Sequence, residues 1–219
     1  MAANEKTKLE LVIFDCDGVL VDTETIAGNI TQETLAELGW ELTFDEVIEK
    51  FMGRSAKDNV ETIEARLGEG TSETYLKKFR ERQRARFSEG IKPISGIVEV
   101  LENLTLPTCV ASSGTHEKMR VTLGSSGLYD YFERRIFSAT EVERGKPHPD
   151  LFLHAAAQMG AQPDRCVVVE DSVYGVQAAK AAGMQVFGYA SLTSAKTLRE
   201  AGATVVTDMR ELPGLLEQA

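Results

Sequence analysis

Six short apolar runs, at residues 11–14, 109–111, 136–137, 166–169, 185–187 and 204–206, recur along the chain with segments of helical periodicity between them. That alternation restricts the fold more than any other feature, because parallel strands need long crossover connections and helices supply them. Runs such as CVVV carry no polar alternation, as expected of strands covered by helices on both faces. The pattern therefore predicts an α/β fold with a doubly wound parallel sheet. At a norm of ~150 residues per domain, a chain of 219 residues makes one large domain, or one domain carrying a substantial insertion.

The rhythm breaks between Thr23 and Gly90, where four helical patterns follow one another and no strand-like run occurs. Phe44, Val47, Ile48 and Phe51 fall at i, i+3, i+4 and i+7, and Val60, Ile63 and Leu67 keep the same stripe. Further helices are expected from Thr23 to about Leu38 and from Thr71 to about Ser88. An α-helical insertion after the first strand accounts for this, with turn and breaker chemistry at DTET and EGIKPISG on its borders. The expected organisation is an α/β core of residues 1–22 and 91–219 with a four-helix cap of residues 23–90. The basic run at 77–86 is expected to be a solvated helix face.

With 24 basic and 34 acidic residues the net charge is −10, so the overall field repels nucleic acid and anionic membranes. No apolar run approaches the ~18 residues that span a bilayer, and MAANEKTKLE lacks a signal-peptide pattern. A cytoplasmic protein is expected, with no nucleic-acid or membrane partner. Oligomeric state leaves no clear mark, a monomer being favoured. Cys16, Cys109 and Cys166 lie in or beside apolar runs with no CxxC spacing, so buried thiols are expected. His116, His148 and His154 lack zinc-ligand spacing.

Chemistry concentrates at the ends of the strands, where open parallel sheets bind ligands. The first strand runs into Asp15-Cys16-Asp17-Gly18, which alone would also suit a turn or a cap. After TCVA come Ser112, Ser113 and Gly114, then Thr115, a candidate helix cap. KPHPD sets Lys146 between breakers, where a surface lysine would do as well. After CVVV come Glu170 and Asp171, acids equally at home at a helix start. One shared site explains all four strand ends better than four separate caps. Four carboxylates at one place would repel each other unless a divalent cation and Lys146 offset them. Oxygen-only donors suit Mg²⁺ and phosphoryl chemistry.

DCDGVLVDT, the serine after TCVA, KPHPD and VVVEDS together resemble the four ordered motifs of the haloacid dehalogenase superfamily, whose core is Rossmann-like. The helical insertion resembles that superfamily's cap. Within it, the chain is similar to the β-phosphoglucomutase-like branch of sugar-phosphate phosphatases, including bacterial 6-phosphogluconate phosphatases. The resemblance implies Asp15 as the nucleophile that forms an aspartyl-phosphate, and Asp17 as acid and then base. It implies Ser112, Ser113 and Lys146 around the phosphoryl group. Mg²⁺ would be held by Asp15, the Asp17 carbonyl and Asp171, with Glu170 as a ligand or through water. Gly53-Arg54-Ser55 resembles a substrate-contacting cap turn, with Arg54 facing a distal anion. Asp17 argues against dehalogenation, which needs no proton donor. Ala27 stands where mutases of the branch carry a histidine. The implied activity is Mg²⁺-dependent hydrolysis of small phosphorylated metabolites; the alternatives are a sugar-phosphate mutase and a silent metabolite-binding member of the fold.

Overall fold

The computed structural model describes residues 8–52, 54 and 56–218. Its centre is a six-stranded, all-parallel sheet in the order β3-β2-β1-β4-β5-β6, formed by β1 (Leu11–Phe14), β2 (Thr108–Ser112), β3 (Ile136–Ser138), β4 (Cys166–Glu170), β5 (Gln185–Tyr189) and β6 (Thr204–Val206). All six apolar runs are strands, and the first four lie side by side. Pairing of Ile13 with Cys109 on one side and Val168 on the other sets β1 in the middle of the sheet.

The uninterrupted apolar reading of the strands has a direct cause. Val12 and Phe14 enter one buried cluster, with Val110, Val167 and Val169. Leu11 and Ile13 enter another, with Cys109, Ala111 and Val168. The first layer is closed by α5 (Ile97–Asn103), α6 (His116–Ser125), α7 (Tyr129–Phe132) and α11 (Leu212–Leu216). The second is closed by α8 (Asp150–Met159), α9 (Val173–Ala181) and α10 (Ala195–Ala201). Strands β1 to β4 thus bury both their faces, while β5 and β6 are partly open to solvent; the polar residues buried in the strands, Thr108, Ser112, Ser138 and Glu170, stand at strand ends.

Between β1 and α5 stand α1 (Thr23–Glu37), α2 (Phe44–Phe51), α3 (Ala56–Leu67) and α4 (Thr71–Ser88). Asp22 caps α1 by accepting from the Thr25 amide, and Thr43 and Glu46 form a reciprocal capping box on α2. These helices enclose their own small cluster of Leu35, Val47, Phe51, Ile63 and Tyr75. The outgoing and returning chains lie against each other: Val21 bridges Pro93, and the Asp22 amide donates to the Lys92 carbonyl at 3.0 Å.

The basic run on α4 is not simply solvated. Lys78 and Arg82 pair with Glu37, Arg86 pairs with Glu33, and Arg82 Nη1 donates to Thr34 Oγ1 at 2.6 Å. Positions 78, 82 and 86 share a helix face at i, i+4 spacing, and that face lies against α1. The three cysteines are buried and free, and burial raises the thiol of Cys16 well above its ordinary value. No described helix is long and apolar enough to cross a membrane.

Candidate active site

The ends of β1, β2 and β4 converge, with the loop before α8, on one cleft of about 390 Å³ whose opposite wall comes from α1–α4. Every site residue expected from sequence, Asp15, Asp17, Arg54, Ser112, Ser113, Lys146, Glu170 and Asp171, lines it.

Lys146 organises the floor. Its side chain is only 5% exposed, so it is not the surface lysine that a loop position allows. Nζ lies 2.6 Å from Asp15 Oδ1, 2.7 Å from Glu170 Oε1 and 3.2 Å from the Ala111 carbonyl, which engages all three ammonium protons. Phe152 lies beneath it, with the ring centre 4.9 Å away. Burial opposes the charge, but Asp15 and Glu170 outweigh it and raise the ammonium above its ordinary value. Glu170 is held as firmly: its Oε2 accepts from both the amide and the hydroxyl of Ser172, each at 2.8 Å. That arrangement requires glycine at 175, since a Cβ there would lie 1.8 Å from the Glu170 carboxyl carbon.

Asp15 sits at the mouth of β1 with its Oδ1 on Lys146. Burial pushes its carboxyl up to about 7, with Glu170 and Asp17 adding to the rise and Lys146 opposing it. Asp171 is raised well above the carboxylate range, by burial first and then by Glu170, Asp15 and Glu24. Gly18, at φ +81°, lets the loop after β1 pass close to this acid; a Cβ there would lie 2.2 Å from Asp171 Oδ2. The backbone on that side, next to the Asp17 carbonyl, therefore borders the Asp171 carboxylate directly.

This donor set fits a hard divalent cation. Asp171 has no hydrogen-bond or ion-pair partner among the described residues, and it faces a cleft crowded with other acids. Among those residues no three His, Cys, Asp or Glu side chains gather to hold a metal unaided. A cation here must also take backbone oxygen, water or phosphate oxygen, which is the habit of Mg²⁺.

Asp17 is held by both oxygens, accepting from Thr23 Oγ1 and from Lys118 Nζ, each at 2.7 Å. Ser112 is buried, and its Oγ accepts from the Gly114 amide at 3.0 Å, while Ser113 is exposed at the rim. Arg54 is exposed and donates to the Lys50 carbonyl at 3.0 Å. Gly53 and Ser55, the rest of the expected cap turn, lie outside the described residues. Ala27 lines the cleft, so the position of the mutase histidine holds only a methyl group.

Sequence reading missed Lys118, Thr23, Glu24, Asn59 and Tyr174. The capping of α6 by Thr115 was foreseen, and its amide contact from Lys118 is present at 3.2 Å; a helix starting at the strand mouth aims its first turn at the site, and that was the signal for Lys118. Glu24 and Asn59 carry no such signal, since nothing local says which face of α1 or α3 looks toward the sheet. Burial, with Asp17 adding, pushes Glu24 up to about 7. Asn59 donates Nδ2 to the Phe51 carbonyl at 3.1 Å, and its Oδ1 is buried with no hydrogen-bond partner among the described residues.

Residues 12–189 match the family of haloacid dehalogenase-like hydrolases. The 6-phosphogluconate phosphatase of Escherichia coli (strain K12) is 32% identical over 210 residues, covering 95% of each chain. A phosphorylated carbohydrates phosphatase of Thermotoga maritima is 31% identical, over 96% of this chain and 99% of the relative. Among solved structures, a conserved haloacid dehalogenase-like protein of unknown function from Agrobacterium tumefaciens superposes with a TM-score of 0.89 at 40% identity. The match covers 96% of this chain and 98% of that one.

Proposed function

The chain belongs to the haloacid dehalogenase-like hydrolase family, and on that premise we propose that it is a phosphomonoesterase acting on small phosphorylated metabolites, sugar phosphates foremost. The observation that carries the reading is the buried Lys146 bridging Asp15 and Glu170 at 2.6 and 2.7 Å, at the mouth of a parallel sheet. One Asp15 oxygen is fixed by this contact, and Oδ2 has no hydrogen bond among the described residues. Oδ2 attacks phosphorus, the bond from phosphorus to the ester oxygen breaks, and Asp17 delivers a proton to that oxygen. Water then attacks the aspartyl-phosphate while Asp17 takes its proton, and Asp15 is released with inorganic phosphate. Ser112 and Ser113 donate to phosphoryl oxygens, and Lys146 acts as a fixed positive charge between nucleophile and phosphate. Phosphatases of this family generally use Mg²⁺; here Asp15, the Asp17 carbonyl and Asp171 would hold it, with Glu170 as a ligand or through water, and it would supply charge neutralisation for the phosphoryl group.

In this reading residues 23–90 form a cap over the core of 1–22 and 91–219, and the cap excludes bulk water when it closes. Thr23, at the start of α1, holds Asp17, so proton delivery is coupled to movement of the first cap helix. Ala27 has no proton to transfer, which leaves hydrolysis ahead of a mutase. The test is phosphate release from a panel of sugar phosphates, with Mg²⁺ or with chelator, for wild type beside Asp15→Asn. Metal-dependent release that falls by about 10³-fold or more in the variant is expected. Release that survives Asp15→Asn overturns the mechanism, and none from wild type overturns the activity.

A further inference from the structure

We infer that Lys118 is a positioning residue for Asp17, which it holds from the sheet side so that the acid meets the ester oxygen at a fixed angle. The inference rests on the phosphatase reading and deepens it. Both oxygens of Asp17 are held at 2.7 Å, Oδ1 by the Thr23 hydroxyl and Oδ2 by the Lys118 ammonium. These anchors come from different layers. Thr23 opens α1, whereas Lys118 stands in the first turn of α6, whose Met119 and Leu123 share a buried cluster with Val12 and Phe14 of β1. Asp15 follows Phe14 directly, so Lys118 ties the acid to the framework that also places the nucleophile.

The lysine is itself held in place. Its amide donates to the capping Thr115 hydroxyl at 3.2 Å, and its stem crosses Gly114, where a Cβ would lie 3.3 Å from Lys118 Cδ, 3.4 Å from Ser112 Oγ and 3.8 Å from Asp17 Oδ2. Lys118 is not among the described residues that line the cleft, although Asp17 is, so it acts through Asp17 and not on the substrate. A charged donor binds a carboxylate roughly twice as strongly as a neutral one, which makes Lys118 the firmer of the two anchors. A carboxyl group offers about four lone-pair sites, so one of those left over carries the proton while both anchors stay. As the bond from phosphorus to the ester oxygen breaks, that proton passes from Asp17 to the leaving oxygen. Attack by water returns one to Asp17, and Lys118 keeps all of its own.

An alkoxide needs a proton in order to leave, and a nitrophenolate does not. The test therefore compares kcat/KM, which ends at the aspartyl-phosphate, for p-nitrophenyl phosphate and for the sugar phosphate that wild type hydrolyses best, with wild type, Lys118→Met and Lys118→Arg. Lys118→Met is expected to lower the ratio of sugar to aryl ester by at least about tenfold, a share of the ~10²–10⁴ that a placed acid supplies. Lys118→Arg, which keeps a charged donor, is expected to lower it less. A general loosening of α6 acts on both esters and cancels in the ratio, and the lysine side chain is 37% exposed, so neither replacement empties a core. A ratio within about threefold of wild type in Lys118→Met overturns the inference and leaves the phosphatase reading intact. So does a ratio that rises, which would mean that Lys118 holds Asp17 away from the ester, and so does an equal fall in Lys118→Arg, which would trace the effect to packing over Gly114. A wild type that releases phosphate from no ester overturns the phosphatase reading and this inference with it.

Discussion

The sheet and the helical layer opposite it meet at one cleft but are held together differently. Strands β1 to β4 bury two faces, and the site groups at the sheet's edge hold one another: Lys146 has three acceptors, and Glu170 has three donors. Among the described residues the helical layer has a small cluster of five buried side chains, and ion pairs along the α1–α4 seam. Two of its groups at the cleft, Asn59 and Glu24, have oxygens with no hydrogen bond among the described residues. In the proposed reading, the groups of the phosphoryl chemistry sit on the sheet, and the groups that meet the rest of the ester sit on a helical layer with a small core of its own.

The comparison breaks most readily from the rigid side, beyond Asp15 itself. Ala normally improves a helix interior relative to Gly by ~0.5–1 kcal/mol, so Gly175→Ala would be expected to stabilise α9. Here the new Cβ would overlap the Glu170 carboxyl, which must move and take its contact with Lys146 along. Phosphate release is expected to fall by about 10²-fold or more, since a displacement of ~1 Å in a catalytic constellation costs that much. Kinetics alongside urea unfolding decide the matter. An active variant that is also more stable would show that the Glu170 anchor is dispensable.

The helical layer should fail differently. Ile63 is fully buried in its small cluster, and truncation of such a side chain costs about 2–5 kcal/mol. In so small a core that loss exceeds what local packing can absorb, so Ile63→Ala is expected to unfold the helices before the sheet. Native-state hydrogen exchange would show early opening confined to residues 23–90, and KM would rise. Exchange that changes uniformly across both layers would mean that they fold as one cooperative unit and that the contrast drawn between them is only one of composition.

This difference also explains what the sequence made legible. A strand with both faces buried is apolar along its interior, so the strands stood out as runs, and the polar residues at the ends of β1, β2 and β4 marked the candidate site. Asp15, Ser112, Lys146 and Glu170 were readable because each follows directly from a strand or a breaker next to it. Glu24 and Asn59 reach the cleft from helices whose orientation depends on tertiary packing, which no local pattern encodes, whereas Lys118 had a partial signal in the Thr115 cap that starts its helix after β2. The run at 77–86 was legible only in part for the same reason: most of its charges are exposed, but that Lys78, Arg82 and Arg86 face α1 depends on how two helices pack. Lys146 was half legible, since KPHPD gave its place and left open whether it was buried.

The smallest expected effect lies at that helical seam. Arg82 pairs with Glu37 and donates to Thr34, a threonine with no exposed surface, at 2.6 Å. Glu37 keeps a second partner in Lys78 at 3.1 Å, so losing Arg82 does not strand it. Its carboxyl lies below the usual range, through Lys78 first and Arg82 as well. Exposed ion pairs contribute little and are screened by salt, whereas a hydrogen bond to a buried hydroxyl is not. Arg82→Gln is therefore expected to lower Tm by only about 2–4 °C at ~0.05 M salt. Part of that difference should persist at ~0.5 M, where the Debye length is down to a few ångströms. A difference that vanishes entirely at high salt would mean that the seam is held by charge alone and that the Thr34 contact adds nothing. One that is large and indifferent to salt would mean that Arg82 is a packing residue, and the helical layer would then be tied together far more like the sheet than its small core implies.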